Sequence, residues 1–148
     1  MKAWGTANSY LEHLLTMDVN ASYGKWEKVS QLAQEDAKTG IGTFYYNLSN
    51  AMKGQLPDRL MNYYQPFSKG LFLPVDPSGN YLSFMASNEL WFHLGDMTMA
   101  EHSAILGMIS TQDHRSVRMI KRMAEINLIN GDEEAAMKYL RMLQKTWK

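Results

Sequence analysis

The chain has 148 residues, 45% of them hydrophobic and 20% charged, enough to bury roughly two-thirds of its unfolded surface as an ordinary domain without staples. Fifteen basic residues balance fifteen acidic ones, which removes the broad attraction of a basic protein for nucleic acid or an anionic membrane. The absence of cysteine excludes disulfides, thiolate-bound zinc, iron–sulfur clusters and thiol catalysis, and leaves the compartment open.

Residues 1–17 carry Asn, Ser, Glu and His where a signal peptide is apolar, and no stretch approaches the roughly 20 apolar residues of a membrane span. This region is therefore expected to be soluble. A first helix is expected from about residue 8 to 20, a turn at Ser22-Tyr23-Gly24, and a second helix over 25–38 with Trp26, Val29 and Ala33 inward. Residues 41–53 form the next helix. Gly54-Gln55-Leu56 then turns the chain, and Pro57, suited to a first helical turn, opens a short helix. Residues 65–80 hold Pro66, Pro74, Pro77, Gly70 and Gly79 and form a loop. Its Phe67, Leu71, Phe72, Leu73 and Val75 are too apolar for a solvated linker, so it is expected to pack back, covering a helix edge or lining a groove.

Beyond the loop, residues 81–94 and 98–110 form two helices about Gly95-Asp96, the second with a small-residue stripe, Ala100, Ala104 and Gly107, that lets helix backbones approach. Residues 116–130 form another, with Val117, Ile120, Ala124 and Leu128 at helical spacing, stopped at Asn130-Gly131. Asp132 caps the last helix, whose first turn carries Glu133 and Glu134 and whose final turns carry Arg141, Lys145 and Lys148, matching the helix dipole at both ends. Asn20, Asn50 and Asn127 stand four residues before three of the turn glycines, with Trp91 at the remaining one. Their amides are expected to satisfy free carbonyls of the last turn.

The pattern predicts an all-α fold, a single domain over 1–148. Four helix-turn-helix units, about 8–38, 41–65, 81–110 and 115–147, give seven or eight helices stacked as an α-α superhelix. The turn glycines are 30, 41 and 36 residues apart, bracketing the roughly 34 of a tetratricopeptide unit. At these turns the chain resembles tetratricopeptide repeats, which place a small residue five positions after the Gly and a large apolar one four further on. Ala100 follows Gly95, Ala136 and Leu140 follow Gly131, and Val29 replaces Ala after Gly24. Arg59 departs from the pattern, so its helix is expected to be displaced. The resemblance implies a concave face lined by the first helix of each unit. Its contact positions, two, three, six and ten before the turn Gly, fall on Glu89, Phe92, His93, Lys121 and Glu125. A narrower resemblance rests on residues 127–131, Lys138-Tyr139-Leu140, Leu143-Gln144-Lys145-Thr146, Tyr46-Asn47-Leu48 and Gly54-Gln55-Leu56. These look like the C-terminal region of a Bacteroides-type family of uncharacterised membrane-anchored proteins, which implies no activity.

Glu89 and His93 lie one helical turn apart with Asp96 beyond, but His-Glu-x-x-His is absent and no metal is expected. Gly-x-Ser-x-Gly, Gly-x-Gly-x-x-Gly and phosphate-loop motifs are absent too, so neither an enzyme nor a cofactor is expected. Arg115, Arg118, Lys121 and Arg122 gather on one helix, either as a solvated face or as a basic patch for an acidic peptide or terminal carboxylate. The second reading adds Arg118 and Arg122 to the binding residues. Twelve methionines suit a gap-filled core or an adaptable binding surface. The expected function is a non-catalytic module that receives a protein or peptide. The alternative is an accessory region of a membrane-anchored protein, packed on its own chain or on another copy. Oligomeric state and location stay open.

Overall fold

The computed structural model describes residues 3–35, 39–73, 75 and 79–146, and of residues 3–8, 67 and 69 only the backbone. Lys38, Pro74, Pro77, Trp147 and Lys148, assigned above to helix ends and to the loop, lie outside the described residues. The fold is all-α, with eight α-helices and no strand among the described residues. They are α1 (Ala3–Ser22), α2 (Trp26–Glu35), α3 (Gly40–Met52), α4 (Leu56–Arg59), α5 (Tyr81–Leu94), α6 (Met97–Ile109), α7 (Val117–Ile129) and α8 (Glu133–Thr146). Short 3-10 turns occupy Leu60–Asn62 and Phe67–Gly70. Among the described residues no helix is long and apolar enough to cross a membrane.

Four glycines make the bends. Gly24, Gly54, Gly95 and Gly131 have φ of +67°, +69°, +82° and +78°, a left-handed conformation that a Cβ disfavours. At each bend the glycine N–H bonds the carbonyl three residues back, and the next N–H reaches the carbonyl five back at 2.8 to 3.0 Å. This Schellman pairing satisfies the carbonyls that a helix end leaves open. It also changes the role foreseen for the asparagines. With those carbonyls bonded by backbone, the amides of Asn20, Asn50 and Asn127 donate one turn deeper, to Thr16, Tyr46 and Met123, at 2.7, 3.0 and 2.7 Å.

Contacts divide the chain into two compact units, Met1–Leu73 and Pro74–Lys148, parted within the Pro-rich segment. In the first unit α2 packs against both α1 and α3. Leu14, Met17 and Ala21 of α1, Val29 and Ala33 of α2, and Phe44, Tyr45 and Leu48 of α3 are buried. The helix α4 spans four residues and buries none, as Arg59 in the small-residue position implies. Loop chemistry completes this hairpin instead. Tyr63 stacks on Tyr46 with ring centroids 4.1 Å apart, and Asn47 Nδ2 donates to Gln65 Oε1 and to the Gly70 carbonyl, each at 2.8 Å. A Cβ at Gly70 would lie 2.7 Å from Gln65 Oε1, so this close approach depends on glycine. Leu73 is buried and Phe72 is exposed, so the first half of the Pro-rich segment belongs to the packed unit.

In the second unit α5, α6, α7 and α8 pack in sequence. Met85, Ala104, Met119 and Met123 form the core, with Tyr81, Met108 and Tyr139 against it, so methionine here fills gaps between helices. The small-residue stripe works on both sides of α6. Asn88 Nδ2 donates to the Ala100 carbonyl at 2.7 Å, and a Cβ on Gly107 would stand 3.2 Å from Met119. Asn80, Asp96, Ser116 and Asp132 cap α5, α6, α7 and α8, accepting N–H bonds from Ser83, Met99, Met119 and Ala135.

Candidate functional site

A buried carboxylate costs free energy unless donors surround it, so Glu89, 1% exposed in the middle of α5, requires partners. Its donors come from α7. Arg118 Nη2 and Arg122 Nη2 both reach Glu89 Oε1, at 2.7 and 2.8 Å, and being four residues apart they project from one face of that helix. His93, one turn along α5, brings Nε2 to 3.5 Å from Oε2. Burial by itself pushes the Glu89 carboxyl up, but His93, Arg122 and Arg118 together outweigh it and hold the group at about 2. Glu89 is therefore ionised at neutral pH.

The network extends outward. The Arg122 guanidinium lies over the Phe92 ring, 3.7 Å from its centroid, which adds a cation–π contact, and its Nη1 is 3.3 Å from Glu125 Oε2. Lys121 Nζ is 3.4 Å from the other oxygen of Glu125. All seven residues singled out from the sequence, Glu89, Phe92, His93, Arg118, Lys121, Arg122 and Glu125, thus meet in one constellation spanning α5 and α7.

Their roles differ from a surface reading. Arg118 and Arg122 form neither a solvated face nor an open basic patch: their side chains are 21% and 10% exposed and committed to Glu89. Glu89 is too deep to touch a partner. Lys121, His93 and Glu125, with the edge of Phe92, form the accessible rim. Asp96, the third of the potential metal ligands, turns its Oδ1 to the Met99 N–H at 2.9 Å as the α6 cap, and among the described residues no three such groups gather.

One pairing went unforeseen. Asp18 of α1, 0% exposed, accepts a 2.7 Å hydrogen bond from the Tyr45 hydroxyl of α3. Asp18 stands six residues before Gly24 and Glu89 six before Gly95, while Tyr45 and Arg122 each stand nine before their own turn glycines. That coincidence of position was the available signal. No curated protein and no solved structure matches the chain. The model of a family of unknown function, DUF6057, matches residues 1–148, so the chain belongs to that family.

Proposed function

We propose that the chain is a non-catalytic protein-interaction module of tetratricopeptide-like repeats, receiving an extended peptide or a partner helix on the face formed by α5 and α7. The observation that supports this reading is the layered construction of that face. A buried ionic base of Glu89, Arg118 and Arg122 holds two helices, and the mobile cost of arranging Phe92, His93, Lys121 and Glu125 is reduced before any partner arrives. Three basic side chains face two acidic ones, which leaves one surplus positive charge before any proton on His93. An acidic ligand suits that surplus. Panning a displayed library of random peptides on the whole chain tests the proposal. Enriched sequences should be rich in Asp and Glu, and Lys121→Glu, at an exposed position, should weaken them about tenfold. Enrichment with no acidic bias, or indifference to Lys121→Glu, would remove the reading.

A second reading, an accessory region packing against further polypeptide of a membrane-anchored protein or against another copy, is favoured by one feature. Leu11, Leu15 and Val19 form an exposed apolar stripe on α1, 49%, 41% and 49% accessible, along a groove of about 510 Å3. Leu143, near the end of α8, is half-buried and adds little to such a surface. Concentration-dependent light scattering tests self-association: a mass that falls to monomer when Leu15 becomes Glu supports it, and a monomer at all concentrations removes the self-packing form.

A further inference from the structure

The cations that the sequence groups at the start of the last hairpin part company in the fold. Arg118 and Arg122 pair with Glu89, and Lys121 with Glu125. Arg115, just before the Ser116 cap, has no ion-pair partner among the described residues. It borders a cavity of about 260 Å3 that is lined, among the described residues, by Ile120 of α7 and by Met142, Lys145 and Thr146 of α8 as well. Lys145 is likewise without an ion-pair partner among the described residues. Two positive groups, 30 positions apart in sequence and without an ion-pair partner among the described residues, thus line one depression.

We infer that this cavity is a binding pocket for a carboxylate carried on a short aliphatic stem. Like charges brought together repel unless an anion lies between them. Thr146 donates its hydroxyl proton to the Leu143 carbonyl at 2.7 Å, so Arg115 and Lys145 are the rim groups left to donate to an anion. Below them the wall turns apolar at Met142, half-buried, whose remaining surface gains from covering an alkyl group, with Ile120, 1% exposed, packed behind it. The volume lies under the roughly 300–1,000 Å3 of pockets for drug-sized ligands, which limits the stem to about one aliphatic residue. Two sources carry this chemistry, the C-terminal residue of a partner chain and a small branched carboxylic acid. The pocket is separate from the face of the proposed function, because Ile120 and Arg122 lie roughly 160° apart around α7.

Methyl-resolved NMR of the whole chain, titrated with N-acetyl-leucine, tests the inference. The Met142 and Ile120 methyl signals should move, and N-acetyl-leucinamide, identical but uncharged, should bind at least about tenfold more weakly. Arg115→Gln with Lys145→Gln, both at exposed positions, should weaken binding by about the same factor with an unchanged thermal midpoint. A tripeptide, acetyl-Ala-Ala-Leu with a free carboxylate, separates the sources: tighter binding than N-acetyl-leucine assigns the pocket to chain ends, equal binding to small acids. Acid and amide binding alike, or no shift at millimolar ligand, overturns the pocket. Shifts confined to methyls elsewhere, with those of Met142 and Ile120 unmoved, overturn it as well, and those would leave the α5 and α7 face standing.

Discussion

Both units bury a carboxylic acid at the same place, six residues before the first turn glycine, and anchor it to the same place on the third helix, nine before the next. Their solutions differ. In the first unit the short Asp18 meets the Tyr45 hydroxyl directly, and the positions beside it are filled by Phe44 and Leu48, 1% and 4% exposed. In the second unit the longer Glu89 meets two guanidiniums, and the positions matching Phe44 and Leu48 are Lys121 and Glu125, both reached by solvent. A phenol closes such a face, because its ring is apolar and its one donor is used up. Guanidiniums keep it partly wet, because each carries five donors and one carboxylate cannot absorb ten. The same local device therefore seals one face and leaves the other charged and available.

The comparison breaks first at Glu89. Replacing it with Ala leaves two guanidiniums half-buried without their common anion, and removing one partner of a buried ionic network costs about 3–5 kcal/mol. Urea denaturation should show a loss of that size, and a loss under about 1 kcal/mol would make the network ornamental. Acid sharpens the point. Glu89 is held at about 2 against an ordinary 4.5, so its contribution is full above pH 4.5 and is lost as the pH falls towards 2. The shift corresponds to on the order of 3 kcal/mol. Unfolding midpoints of the natural chain should therefore fall more steeply between pH 5 and 2 than those of Glu89→Gln, and parallel curves would contradict the assigned network.

What could be read from the residues depended on how local the physics was. Each turn glycine carries its own reason, a positive φ that a side chain resists, so all four bends were visible one at a time, as was the poor fit of Arg59 that leaves α4 at four residues. Repeat spacing also pointed to Glu89 and Lys121, which the fold joins in one network through Arg122 and Glu125. It did not show that Glu89 is buried, because that depends on Arg118 and Arg122, 29 and 33 residues away, being long enough to close over it. Tyr45 drew no reading of its own, since nothing near it in sequence announces that its hydroxyl faces Asp18.

The sealed version is tested by Tyr45→Phe, which removes a buried hydrogen bond and changes no shape. The cost should be about 1–3 kcal/mol, smaller than at Glu89 because a single donor is withdrawn from the buried acid and the acid itself stays in place. A loss equal to that of Glu89→Ala would mean that the two anchors are energetically alike and that charge is not what distinguishes the units. The smallest effect belongs to what the units share. Gly131→Ala meets open space, with nothing within 4 Å of the added Cβ, so only its φ of +78° resists the change. That strain is about 1 kcal/mol, partly offset by the stiffer unfolded chain. Because the bend is common to both units, Gly24→Ala, whose added Cβ comes no closer than 3.8 Å to Trp26 Nε1, should cost the same within a few tenths of a kcal/mol in thermal unfolding. A clear inequality would mean that the turns, and not only the buried acids, have diverged between the two units.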